Sequence, residues 1–283
     1  MKKEIRIPIT QEAITLVPNV VYKMERFWYD MTLRPMKMSV LMPKHWQEHK
    51  PQPLVLWLCG GGFQVMDENI WIPQMIDFAR AGFTVASVEY RTAHTAPFPA
   101  ELVDVKAAIR YLRAHKEEFC FDGEHIFVMG ESAGGSIASE TGLITDPQYD
   151  VGEYLEESSA VTGVVDFYGV EDQTVIAQHR TETYEFFGAT VQRLGGFPED
   201  RQEVLEACSA IRYVTPESVP FMILHGSGDD TVPIAQSEAL HEALTKAGVD
   251  CDFYIIEGAG HGEDEFYQKE VIDLIIDFMR RHI

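Results

Sequence analysis

The chain has 283 residues, and 23 Lys+Arg against 45 Asp+Glu leave a formal net charge of −22. That length fits one large α/β domain or two small ones, and a 46% hydrophobic, 24% charged composition is that of a folded protein, not a disordered one. So negative a field argues against nucleic acid and anionic membrane surfaces as partners, while leaving a small neutral or cationic substrate open.

The N-terminal stretch to about Pro43 reads as extended, with apolar–polar alternation from Lys37 to Met42. Lys2 and Lys3 are followed by no apolar run, so no secretory signal is expected at this start. Nor does any stretch reach the ~18–20 apolar residues that span a bilayer. Cys59, Cys120, Cys208 and Cys251 are widely spaced with no CxxC pair, which fits a reducing compartment better than a disulfide framework or a zinc site. The expectation is a cytoplasmic chain without metal or cofactor, its oligomeric state left open.

Further on, continuous apolar runs begin at Leu54, Phe83, Ile126, Val161, Phe221 and Phe253. Short runs apolar on both faces are what parallel strands covered by helices on each side require. Helical spacing separates them. Leu102, Val105, Ile109 and Leu112 share one face; Leu240, Ala243, Leu244 and Ala247 share another before a stop at Gly248. Val271, Leu274, Ile275, Phe278 and Met279 make a closing helix. The alternation predicts one α/β domain over 1–283, a mostly parallel sheet with helices on both faces. From about Glu171 to Pro220 no strand pattern occurs, and Tyr184, Phe186, Phe187, Leu194 and Phe197 are scattered among acidic residues. A lid insertion at about 171–215 is expected there. A smaller acidic insertion runs from Thr145 to Ser159.

Chemistry concentrates at Gly130-Glu131-Ser132-Ala133-Gly134, a G-x-S-x-G directly after an apolar run and before a helix pattern. A serine on a sharp strand-to-helix turn needs small neighbours, and the helix N-terminus beyond favours developing negative charge. The plainer alternative is a packing turn in which Ser132 caps the helix. A serine nucleophile needs a base. His261, in the Gly258–Gly262 loop after the last strand run, sits where a Ser…acid…His order places it; His225, at the end of the Phe221 run, comes before the acid candidates and reads as structural. The loop after His225 offers Asp229 and Asp230, either of which serves on the sequence alone. Oxyanion donors are expected from the Ala133 N–H and from Gly60 and Gly61, in the glycine run after the Leu54 strand. Glu131 is expected to brace that loop. No phosphate-loop or H-E-x-x-H zinc motif competes.

With Glu89-Tyr90-Arg91, Ala96-Pro97-Phe98-Pro99-Ala100, the His225–Pro233 stretch and Gly258–Gly262, the chain resembles the α/β-hydrolase superfamily. Within its esterase/lipase group it is similar to the bifunctional feruloyl/acetyl xylan esterase-like branch, from about Leu54 to the end. The resemblance implies Ser132 as nucleophile and His261 as base. It selects Asp229, first residue of a D-x-x-V-P element, as the acid. It further implies hydrolysis of small acetyl or feruloyl esters through an acyl-enzyme. The family usually opens its oxyanion loop with histidine, where this chain has Cys59; a thiol donates weakly, so what holds the loop's shape becomes a question for the structure. An amide hydrolase using the same triad and a non-catalytic binding protein on the same scaffold are the alternatives.

Overall fold

A computed structural model describes residues 1–183 and 186–283, with the side chains of 180–183 excepted. Its framework is an eight-stranded sheet. Strands β1 (Ile14–Phe27) and β2 (Thr32–Pro43) form an antiparallel hairpin at one edge, and β2 pairs antiparallel with β4 (Thr84–Val88). From there all pairing is parallel, through β3 (Gln52–Leu58), β5 (Phe121–Glu131), β6 (Gly163–Phe167), β7 (Phe221–Gly226) and β8 (Cys251–Ile256). The order is β1-β2-β4-β3-β5-β6-β7-β8.

Strand β3 shows why the apolar runs are continuous. Leu54, Leu56 and Leu58 enter the core layer beneath α2 (Ala100–Ala114), α3 (Ala133–Leu143) and α7 (Ala235–Ala247). Val55 and Trp57 point the other way, into the layer beneath α1 (Ile72–Arg80) and α8 (Lys269–Arg281). Successive side chains face opposite sides, so a strand covered on both must be apolar at every position. Each such Leu or Val adds ~1.5–3 kcal/mol by leaving water.

Predicted helices appear as α2, α7 and α8, and Gly248 ends α7 in the left-handed conformation (φ 81°). Helix α1, whose Ile72, Met75, Ile76 and Ala79 carry the same spacing with Pro73 in the first turn, is an addition to the expected helices.

Between β6 and β7 lie α4 (Gln173–Thr183), α5 (Phe187–Leu194) and α6 (Gln202–Ala207), and no strand occurs there among the described residues. This segment is tied down by a buried cation. The Arg193 guanidinium pairs with Glu101 Oε1 at 2.9 Å and with Glu140, and lies 3.8 Å from the Phe63 ring centroid. Of the aromatics expected in a lid, Phe197 is exposed with its ring 6.3 Å from that of Phe187, Phe186 turns toward the cavity described below, and Tyr184 lies outside the described residues.

Candidate active site

The end of β5 and the start of α3 form a tight turn. Ser132 sits at its apex with φ 54° and ψ −120°, a conformation rare for a residue bearing Cβ, held by donation of its N–H to Phe167 O (2.8 Å). The flanking glycines are obligatory. A Cβ on Gly130 would lie 2.3 Å from Gly134 O, and one on Gly134 would lie 2.1 Å from Leu58 O. The same two glycines that made the motif legible thus let α3 press against β3 and β5.

Ser132, Asp229 and His261 are distant in sequence and adjacent in space. His261 Nε2 is 2.9 Å from Ser132 Oγ, and His261 Nδ1 is 2.7 Å from Asp229 Oδ2. Each comes from a loop beyond the C-terminal end of a parallel strand: β5, β7 and β8. The base therefore has a nucleophile on one nitrogen and an orienting carboxylate on the other. The Tyr168 ring packs 4.6 Å from the imidazole and limits its rotation.

Asp229 is a fully ionised acid by construction. Burial pushes its carboxyl up, but hydrogen bonds from His225, His261 and the Val232 N–H outweigh that and hold it well below the usual carboxylate range. Oδ1 accepts from the Thr231 and Val232 N–H groups, each at 2.8 Å. Its neighbour Asp230 makes a long contact to Thr231 (3.4 Å) instead of meeting an imidazole. The choice that the sequence left open is thus separated by geometry.

Of the two glycines expected as oxyanion donors, Gly60 is otherwise engaged. The Gly60 N–H donates to Glu131 Oε1 (2.7 Å), so it is not directed at a ligand, and Gly60 does not line the cavity. Gly61 does. Its φ of +125° brings a would-be Cβ to 2.0 Å from Val65 O, so only glycine fits. Among the described residues the Gly61 N–H has no acceptor, and the Ala133 N–H belongs to the first helical turn, where no intrahelical partner exists. Both residues line one cavity with Ser132 and His261.

Glu131 is the brace expected of it. Besides Gly60 it accepts from Trp71 Nε1 (3.1 Å), and Trp71 stacks on Tyr267 at 4.5 Å. Cys59 contributes its carbonyl, which accepts from the Tyr90 hydroxyl at 2.6 Å, while burial pushes its thiol up to about 12. The loop is therefore shaped by Glu131 and Tyr90, and the residue in the customary histidine position is an inert thiol.

The cavity has a volume of about 310 Å³, with Phe63, Val65, Val170, Phe186 and Val232 as its apolar wall. Neither Val170 nor Val232 was singled out in the sequence; both pack with Ile176 of α4. Nor was the contact of His225 with Asp229, although a four-residue spacing on one turn was its signal. No group of three or more His, Cys, Asp or Glu suited to a metal occurs among the described residues. None of the described helices is long and apolar enough to cross a membrane.

Comparison with known proteins gives a consistent picture. The BD-FAE family model matches residues 38–244. The chain is 32% identical over 223 residues to esterase LipC of Mycobacterium tuberculosis, covering 76% of this chain and 54% of that protein. It is 29% identical over 233 residues to esterase LipQ of the same organism, covering 80% and 55%. It thus spans about half the length of these curated relatives. Among solved structures, a truncated carbohydrate esterase from gut microbiota superposes with TM-score 0.81 at 23% identity, covering 97% of this chain and 98% of the other. Esterase 2 of the planctomycete Thermogutta terrifontis does so with TM-score 0.75 at 24% identity, covering 96% and 92%. These likenesses carry the α/β-hydrolase fold.

Proposed function

The chain belongs to the BD-FAE family of α/β-hydrolase-fold proteins, and from that premise we propose that it is a serine carboxylic-ester hydrolase working through an acyl-enzyme. The observation that carries this reading is the unbroken run of contacts from Asp229 through His261 to Ser132.

In this mechanism His261 Nε2 takes the proton from Ser132 Oγ as that oxygen bonds to the ester carbonyl carbon. Asp229 stays ionised and stabilises the imidazolium, holding the ring so that Nε2 faces the serine. The carbonyl oxygen becomes an oxyanion and receives the N–H groups of Gly61 and Ala133. Each such donor is worth up to ~3–4 kcal/mol in the transition state. The imidazolium then protonates the departing alkoxide, leaving Ser132 acylated. Water enters, His261 takes its proton, and the same steps in reverse release the acid and restore the serine.

The cavity and the charge support the substrate class in this reading. Its apolar wall and a volume of about 310 Å³ suit an acetyl or other short acyl group and accommodate an aromatic acyl group such as feruloyl. A net charge of −22 favours a neutral ester over a polyanionic one. Acylated sugar fragments satisfy both conditions. The chain is also 25% identical over 221 residues to endo-1,4-beta-xylanase B of Butyrivibrio fibrisolvens, covering 75% of this chain and 33% of that protein. That likeness keeps acetylated xylo-oligosaccharides among the substrates to be tried. The test is a substrate panel of p-nitrophenyl acetate, acetylated and feruloylated xylo-oligosaccharides, aminoacyl-anilides and N-formylkynurenine. Turnover of esters with little on the amides supports the reading; preferential amide turnover overturns it. A fluorophosphonate adduct mapped to any residue other than Ser132 overturns the assignment of the nucleophile.

A further inference from the structure

His225 lies at the end of β7 and is completely buried. Its environment fixes where its protons go. Nε2 is 3.0 Å from the Val232 carbonyl oxygen, which only accepts, so Nε2 must carry hydrogen. Nδ1 is 2.8 Å from the Ser237 hydroxyl of α7, which can supply the proton for that contact. With one ring proton, the imidazole thus points Nε2–H at the 229–232 turn. On the same side, 3.4 Å from Nε2, stands Asp229 Oδ2, the oxygen that also meets His261.

Two consequences follow for the acid. The Nε2–H group places a partial positive charge against Oδ2, the oxygen that His261 also meets. By gripping the Val232 carbonyl it also fixes the turn whose Thr231 and Val232 N–H groups hold Oδ1. The ring therefore acts on the carboxylate twice, directly at Oδ2 and through the turn that holds Oδ1. A buried, ionised carboxylate needs such donors to offset its desolvation.

We propose that His225 is a positioning residue for the reaction, a second imidazole whose Nε2–H and grip on Val232 hold Asp229 ionised and aimed at His261. This rests on the triad reading given above. It assigns catalytic consequence to a histidine that touches neither substrate nor nucleophile.

Two isosteric halves of imidazole separate this role from packing. In His225→Gln the side-chain amide nitrogen replaces Nε2 and keeps the donor toward Val232 and Asp229. In His225→Asn the amide nitrogen reaches only as far as Nδ1 and loses it. The expected result with p-nitrophenyl acetate is a fall in kcat of about tenfold or more for His225→Asn with KM within about twofold, and recovery to within about threefold for His225→Gln. Asp166 on β6 and the Tyr168 ring also face His225, and both remain in place in either variant. Added to Asp229→Asn, the His225→Asn change costs less than about twofold more, since its target is already gone.

Equal losses in the Asn and Gln variants, a loss confined to KM, no loss in His225→Asn, or full additivity with Asp229→Asn would each overturn the proposal. Should His225→Asn fail to fold, the wild-type protein decides. With ¹⁵N-labelled histidine, a ring proton on Nε2 of His225 across the active pH range supports the proposal, and one on Nδ1 alone contradicts it. A Ser132→Ala control keeps the failures distinct: if it retains activity the triad reading falls, whereas if it is dead and the two His225 variants behave alike only this inference falls.

Discussion

Replacing Glu131 by alanine tests how the oxyanion loop is held. Glu131 Oε1 accepts from the Gly60 N–H at 2.7 Å and from Trp71 Nε1 at 3.1 Å. Hydrogen bonds to a charged acceptor are worth ~1.5–3 kcal/mol each, so the brace carries roughly 3–6 kcal/mol of gross interaction. The loop does not collapse without it, because Tyr90 still grips the Cys59 carbonyl and the Gln64 and Val65 N–H groups still reach Gly61 O. What is lost is the aim of the next peptide, whose Gly61 N–H is the proposed donor. That bounds the effect at about one oxyanion donor, ~3–4 kcal/mol, or a fall of roughly 10²–10³ in kcat. The ground-state ester uses the hole little, so KM changes by less than about threefold. Leaving the buried Gly60 N–H unpaired costs a further ~1–3 kcal/mol of stability, visible as a drop of several degrees in Tm. Glu131→Gln keeps an oxygen acceptor and holds kcat within about fivefold. Steady-state kinetics with p-nitrophenyl acetate and a thermal melt read all of this. If Glu131→Ala kept kcat within threefold of wild type, Glu131 would not hold the loop.

Other consequences are open to equally direct measurement. Gly134→Ala drives a methyl into the Leu58 carbonyl at 2.1 Å, so it should cost more than ~4 kcal/mol and leave little soluble protein; a well-folded variant would contradict the packing of α3 on β3. Burial pushes the Cys59, Cys208 and Cys251 thiols up to about 12, so prolonged iodoacetamide at pH 8 should leave esterase activity intact, and mass spectrometry should find Cys59 unalkylated. Burial also lifts the Asp166 carboxyl to about 7, against the opposing pull of the Gly169 N–H and His225. A raised carboxyl stabilises the fold fully below the ordinary carboxyl range and loses that contribution as pH climbs through about 7. Asp166→Asn should therefore flatten the decline in stability between about pH 4 and 8, by at most roughly 4 kcal/mol; an unchanged urea-denaturation profile across that range would refute it.

The legible part of this protein was the part under two simultaneous constraints. Strands β3 to β7 lie inside the sheet and feed the core on both faces, so they announce themselves as runs, and the glycines around Ser132 must be glycine because backbone occupies the space of a Cβ. The hairpin β1–β2 was only half visible, since its edge strand faces water and carries exposed residues such as Leu16, Met24 and Phe27. Asp229 and Asp230 could not be separated by pattern, because what distinguishes them is which carboxylate meets His261. The same limit applies at Gly60. Three consecutive glycines look equivalent in a sequence, and only a tertiary partner, Glu131, shows that the first N–H is already spoken for. His225 reads as merely structural in the sequence for a related reason: its partners Val232, Ser237 and Asp229 are brought to one ring by the fold alone.

The central claim is that Ser132 is the nucleophile of an ester hydrolase, with His261 2.9 Å away to take its proton. Its most direct test is the hydrolysis of p-nitrophenyl acetate by Ser132→Ala beside the wild type, both shown folded by the same thermal melt. The expected result is a fall in kcat of at least about 10³-fold with no acyl-enzyme formed. Turnover by Ser132→Ala within about tenfold of wild type would contradict it.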